Sequence, residues 1–68
     1  MNRRIKSIDL MQGLQPFTQI GLLKADEARQ IVKDYVGGSN KSLLNFILNP
    51  HIPAQYMQLI NNLRNYAD

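Results

Sequence analysis

No cysteine occurs among the 68 residues of this chain. Disulfides, a common supplement in domains of this size, are therefore excluded, and nothing depends on an oxidising compartment. The expected location is the cytoplasm. Histidine occurs once, at His51, too few for a structural zinc site of the usual Cys/His kind. Long apolar runs are missing too. The longest, Phe46-Ile47-Leu48, falls far short of the roughly 20 residues needed for a membrane span. The charged start Arg3-Arg4-Ile5-Lys6 is followed by a stretch carrying Asp9 and Gln12, which does not fit a secretory signal. A soluble protein without membrane contact is expected.

Once its location is considered, charge of one sign is also scarce. The formal net charge is +3, and Arg3, Arg4 and Lys6 supply that surplus. Beyond them, Lys24, Arg29, Lys33, Lys41 and Arg64 are matched by Asp9, Asp26, Glu27, Asp34 and Asp68. Residues 7–68 are formally neutral, so this body has no net attraction for phosphate. It also lacks the self-repulsion that keeps proteins apart, which favours association. The expected organisation is a flexible basic arm over residues 1–6 and a single helical domain over residues 7–68. A chain this short buries only about 60% of its unfolded surface and holds a net stability of about 3–5 kcal/mol.

What is present points to helices. Pro16, Gly21, Gly37-Gly38, Pro50 and Pro53 punctuate the chain, and no stretch alternates with the period of a strand. The fold class is all-α, a compact bundle of three to four short helices. A first helix over 7–15 has Ser7 as N-cap, with Gln15 disfavoured by the proline that follows it. Residues 16–24 have no clear assignment. Over 25–36, Ala28, Ile31, Val32, Tyr35 and Val36 form a full apolar stripe, Asp26 and Glu27 complement the dipole, and Gly37 is the expected left-handed terminator. Lys24 is a poor cap, which leaves the capping to Glu27. A third helix over 39–49, capped by Ser39, is apolar nearly all round and therefore central and buried. A fourth runs from Pro53 to about Tyr66, with Tyr56, Met57, Ile60, Leu63 and Ala67 facing inward.

No nucleophile, base or metal cluster is assembled by spacing. His51, between Pro50 and Ile52, reads as a turn residue. Asp26, Glu27 and Asp34 read as one solvated helix face. Gly37-Gly38 follows a helix, where a phosphate-binding loop would precede one. The chain is expected not to be an enzyme and to need no cofactor, metal or small-molecule substrate. The leading expectation is a small helical adaptor, inhibitor or regulator that binds a protein partner, alone or as a homodimer. Its contact surface is assigned to Met11, Leu14, Phe17, Ile20, Leu22 and Leu23, with Tyr56 and Tyr66 at the rim, because exposed apolar patches mark partner surfaces and Met and Tyr suit them. The alternative is a DNA-binding regulator with a helix-turn-helix-like unit over residues 25–49. There Ser39, Asn40, Lys41, Ser42 and Asn45 would enter the groove, and Arg3, Arg4 and Lys6 would contact DNA as an arm.

Overall fold

The computed structural model describes the backbone of residues 3–67 and the side chains of residues 6–67. Four helices follow in order: α1 (Arg3–Gln19), α2 (Ala25–Val36), α3 (Lys41–Ile47) and α4 (Met57–Arg64), the last entered through a 3-10 turn at Ala54–Tyr56. Among the described residues there is no strand, and no helix is long and apolar enough to cross a membrane.

The four helices close a ring. Each packs on its neighbour in sequence, and α4 returns to α1. The radius of gyration, 11.0 Å, is the value of about 11 Å expected for a folded chain of this length. Into the centre point Leu10, Leu14 and Phe17 of α1, Ile31 and Tyr35 of α2, Leu43, Phe46 and Ile47 of α3, and Ile60 and Leu63 of α4, with Leu23 from the first connection. Aromatic rings meet across the centre. Phe17 meets Phe46 edge-on at 5.1 Å between centroids, and Tyr35 meets Tyr66 at 6.1 Å.

Helix α1 departs most from the sequence expectation. It begins at Arg3, four residues before the start read from Ser7; residues 1 and 2 lie outside the described residues. Ser7 is buried within the helix, not at its cap. At the other end α1 runs through Pro16 to Gln19. The proline removes one backbone donor and crowds the preceding turn, at a cost of about 3 kcal/mol. Complete burial of Phe17 offsets this cost, because ending the helix at Gln15 would swing that ring out of the centre. The Thr18 hydroxyl donates to the Gln15 carbonyl at 2.9 Å. The helix then stops at Gly21, where φ is 82°. The Leu22 N–H reaches the Phe17 carbonyl at 3.0 Å and the Gly21 N–H reaches Thr18 at 3.3 Å, the paired bonds of a Schellman motif.

Helix α2 matches the reading made from its residues, 25–36. The Lys24 N–H donates to Glu27 Oε1 at 2.9 Å, so the first-turn carboxylate supplies the cap that Lys24 lacks. The closing residue is corrected by one position. Gly37 has right-handed geometry (φ −77°), and Gly38, at φ 96°, is the left-handed residue. The Ser39 N–H bonds Asp34 at 2.8 Å and the Gly38 N–H bonds Tyr35 at 3.1 Å, a second Schellman closure.

Helices α3 and α4 are shorter than their apolar patterns imply. Asn40 precedes α3 in place of Ser39, and its amide donates across to the Ala67 carbonyl at 2.9 Å. That bond ties the start of α3 to the segment that follows α4. The expectation that α3 is buried all round is corrected, since Leu44 and Leu48 stay on the surface. In α4, Met57 is exposed while Leu59 takes the half-buried position. Gly13 sets the approach of α1 to α4, because a Cβ there would lie 3.1 Å from Leu63 Cδ2.

Candidate interaction surface

The titratable side chains are dispersed. Among the described residues no group of three or more His, Asp or Glu is placed to hold a metal ion. His51 is exposed in the α3–α4 connection, where its backbone N–H donates to Asn49 Oδ1 at 2.9 Å. Asp26 forms an exposed ion pair with Arg29 one turn away, and Glu27 caps α2. Asp34 is not on a solvated face as its spacing implied. It is half-buried and accepts hydrogen bonds from Gln30 Nε2 at 2.8 Å and from the Ser42 hydroxyl, which fastens α2 to α3.

Two open clefts flank the bundle. One, of about 310 Å³, lies between α2 and α3 and is bordered by Gln30, Ser42, Asn45 and Asn49. The other, of about 450 Å³, lies between α1 and α4 and includes Asp9, Gln12, Asn62 and Tyr66. Here the Tyr66 phenol is pushed above its ordinary value of 10.0, first by burial and then by the negative charge of Asp9, with Tyr35 adding to it. Both effects disfavour a phenolate.

The eight residues assigned to a protein-binding surface separate into three environments. Leu14, Phe17 and Leu23 belong to the core, so an interface of the intact fold leaves them out. Leu22, Tyr56 and Tyr66 are partly buried and pack against that core. Only Met11 and Ile20 stand on the surface, 52% and 45% exposed. The residues of the DNA alternative are dispersed as well. Arg3 and Arg4 lie in the first turn of α1, and Lys6 is half-buried. Asn40 is engaged with Ala67 and Ser42 with Asp34, while the Ser39 hydroxyl accepts from the Lys41 N–H at 3.3 Å. Ser39, Lys41 and Asn45 are exposed.

Apolar side chains that the sequence pattern did not assign to a surface also lie outside. Ile8 stands three residues before Met11 on the outer face of α1, and Leu44 on α3 stands four before Leu48 at its C-cap; with Met57 they range from 39% to 67% exposed. On α3 the polar stripe of Ser42, Asn45 and Asn49 turns toward the cleft with α2, and that rotation puts Leu44 and Leu48 outside. The one signal available in the sequence was a side-chain pair, Asp34 and Ser42, able to join adjacent helices. Compared with protein-family models, curated proteins and solved structures, the chain matches none.

Proposed function

We propose that the chain is a small non-enzymatic helical protein that works by binding another protein, as an adaptor, inhibitor or regulator, alone or as a homodimer. A single observation carries the reading: large apolar side chains remain exposed in helical register on α1 and α3 although the fold already has a filled centre. Scattered apolar exposure is ordinary, whereas aligned exposure marks a contact face. A cysteine-free chain suits the reducing cytoplasm.

The DNA-binding alternative has less support. Of its reading helix, Asn40 and Ser42 are committed to bonds inside the fold, and Leu44 and Leu48 occupy the outward face. The test is co-purification from the native host with the wild-type chain and two surface variants, Ile8→Gln/Met11→Gln and Leu44→Gln/Leu48→Gln. Sedimentation velocity over a concentration series measures self-association, and a DNA gel-shift salt series runs alongside. The expected outcome is a stoichiometric protein partner, or a dimer, lost from at least one variant that retains wild-type helicity. A chain that stays monomeric, retains no protein and shifts DNA with a steep salt dependence would sink the reading.

A further inference from the structure

The cleft between α1 and α4 is lined from both sides at one spacing. On α1 its residues are Asp9, Gln12, Gly13 and Pro16; on α4 and the turn after it they are Leu59, Asn62, Leu63 and Tyr66. Both sets fall at i, i+3, i+4 and i+7, the spacing of a single helix face. Three contacts order the two faces. The Asp9 charge acts on Tyr66, a Cβ on Gly13 would lie 3.1 Å from Leu63 Cδ2, and the Phe17 and Tyr56 rings meet at 6.5 Å. Residue numbers rise along α1 as they fall along α4, so Asp9 and Tyr66 share one end of the cleft and Pro16 lies toward the other.

The lining divides by chemistry. Leu63 is buried and Pro16 and Leu59 are half-buried, which makes an apolar floor, whereas Asp9, Gln12 and Asn62 are exposed at the rim. Pro16 adds a further acceptor, because it has no N–H to offer the Gln12 carbonyl four residues before it. Charge in the cleft is of one sign. No Lys, Arg or His lines it. Lys6, one turn before Asp9, is half-buried, and among the described residues Asp9 forms no ion pair. Asp68 lies outside the described residues and carries the same sign as Asp9. At the Tyr66 hydroxyl the Asp9 charge adds to burial in disfavouring the phenolate, so that hydroxyl stays neutral.

We infer that the α1–α4 cleft binds a primary alkylammonium, with its cationic head at Asp9 and its apolar stem along Pro16, Leu59 and Leu63. An ammonium offers three donors, which suits acceptors spread over two helices, whereas the fixed fork of a guanidinium needs a coplanar pair. A volume of about 450 Å³ lies within the roughly 300–1,000 Å³ of small-ligand sites. An anion would meet the Asp9 charge, and a purely apolar molecule would strip water from it without replacing it. A divalent metal needs more ionised oxygens than one carboxylate supplies. A free amine and the lysine side chain of a partner share this chemistry, and the test separates them. The inference goes beyond the protein-binding proposal, which stands on the outward faces of α1 and α3.

The experiment is a titration of the isotope-labelled full chain, followed by amide chemical shifts, with hexylammonium, 1-hexanol, hexanoate and a lysine blocked at both its amino and carboxyl ends. Hexylammonium should give saturable shifts centred on Asp9, Gly13, Asn62 and Tyr66, weakening as salt is raised, while hexanol binds several-fold more weakly and hexanoate does not saturate. Asp9→Asn should weaken the amine by about fivefold, and Asn62→Asp, which sets a second carboxylate on the facing wall, should tighten it by about threefold. A gain of binding is a readout that loss of folding cannot mimic. Saturation by hexylammonium and not by the blocked lysine assigns the cleft to a free amine; equal saturation by both assigns it to a partner's lysine. No saturable shift at millimolar amine overturns the inference. So does equal binding of hexanol and hexylammonium, or an amine response that neither variant changes.

Discussion

Phe17 and Met11 lie on the same helix, and apolar patterning alone gives them the same role; the structure separates them completely. Phe17 is 0% exposed, and its ring touches Phe46 at 5.1 Å and Tyr56 at 6.5 Å between centroids, both edge-on. Truncating a buried phenylalanine costs about 3–5 kcal/mol. Each aromatic contact accounts for about 0.5–1.5 kcal/mol of such a loss. A domain of this size has a net stability of about 3–5 kcal/mol, so Phe17→Ala removes most or all of it. Met11, half exposed, has little to lose, and Met11→Ala should stay within about 0.5 kcal/mol of wild type. Urea titrations followed by far-UV circular dichroism measure both. The expected order of midpoints is wild type and Met11→Ala together, Phe17→Leu lower, and Phe17→Ala lowest or without a folded baseline. A Phe17→Ala variant with the wild-type midpoint would refute the placement of this ring at the centre, and with it the passage of α1 through Pro16.

Five further outcomes are expected. Gly38→Ala should destabilise by about 1–2 kcal/mol in the same titration, because its φ of 96° suits glycine alone. Gly37→Ala, in right-handed geometry with its nearest neighbours 3.5 Å from a new Cβ, should be neutral or stabilising by up to about 1 kcal/mol; the reverse order would restore Gly37 as the terminator. Lys24→Ser supplies a side-chain cap to α2 and should raise the thermal midpoint, by about 0.5–1 kcal/mol in stability. A double-mutant cycle on Asp34→Ala and Ser42→Ala should give a coupling of about 1 kcal/mol, and additivity would deny the α2–α3 link. Spectrophotometric titration should show the Tyr66 phenol ionising above the ordinary 10.0, a step lost in Tyr66→Phe. Because the folded-state value is raised, the stabilisation is present below pH 10.0 and is lost as pH climbs through the folded-state value.

Legibility in the sequence followed the number of signals that agreed. For α2 the first-turn carboxylates, a five-residue apolar stripe and a glycine pair coincide, and its limits can be read to the residue. For α1 they conflict. Ser7 is a good cap by type and Pro16 a good breaker, but both are local preferences worth about 1–3 kcal/mol. They lose to the burial of Leu10, Leu14 and Phe17 on one face, and no local rule shows that Phe17 is the ring around which the centre forms. The candidate surface was less legible for a related reason. The apolar residues of α3 imply burial nearly all round, and its few polar residues carry no sign of which neighbour they face. Ser42 satisfies Asp34 of the adjacent helix, and the wheel turns by the width of that bond partner. Of the apolar residues expected to bind, Leu14, Phe17 and Leu23 went inward while Met11 and Ile20 stayed out, and Leu44 and Leu48 joined them on the surface.

The same crowding explains why a fold this small leaves apolar surface uncovered. Helix α3 has seven residues, and Leu43, Phe46 and Ile47 already fill its inward side. A helix in a one-layer ring buries one flank, so Leu44 and the following Leu48 have no layer left to enter. Leu44 and Leu48 leave 39% and 67% of their surfaces exposed, together about one whole leucine, and covering that contributes about 1.5–3 kcal/mol, a large share of the stability of a domain this small. A partner covering Leu44 and Leu48 would therefore also act as a stabiliser of the fold, by mass action. Substitutions at Leu44 and Leu48 should leave the free chain nearly unchanged and weaken only the complex, whereas substitutions at Phe17 or Leu43 should remove both. That asymmetry separates an interface residue from a core residue where composition and periodicity treat them alike.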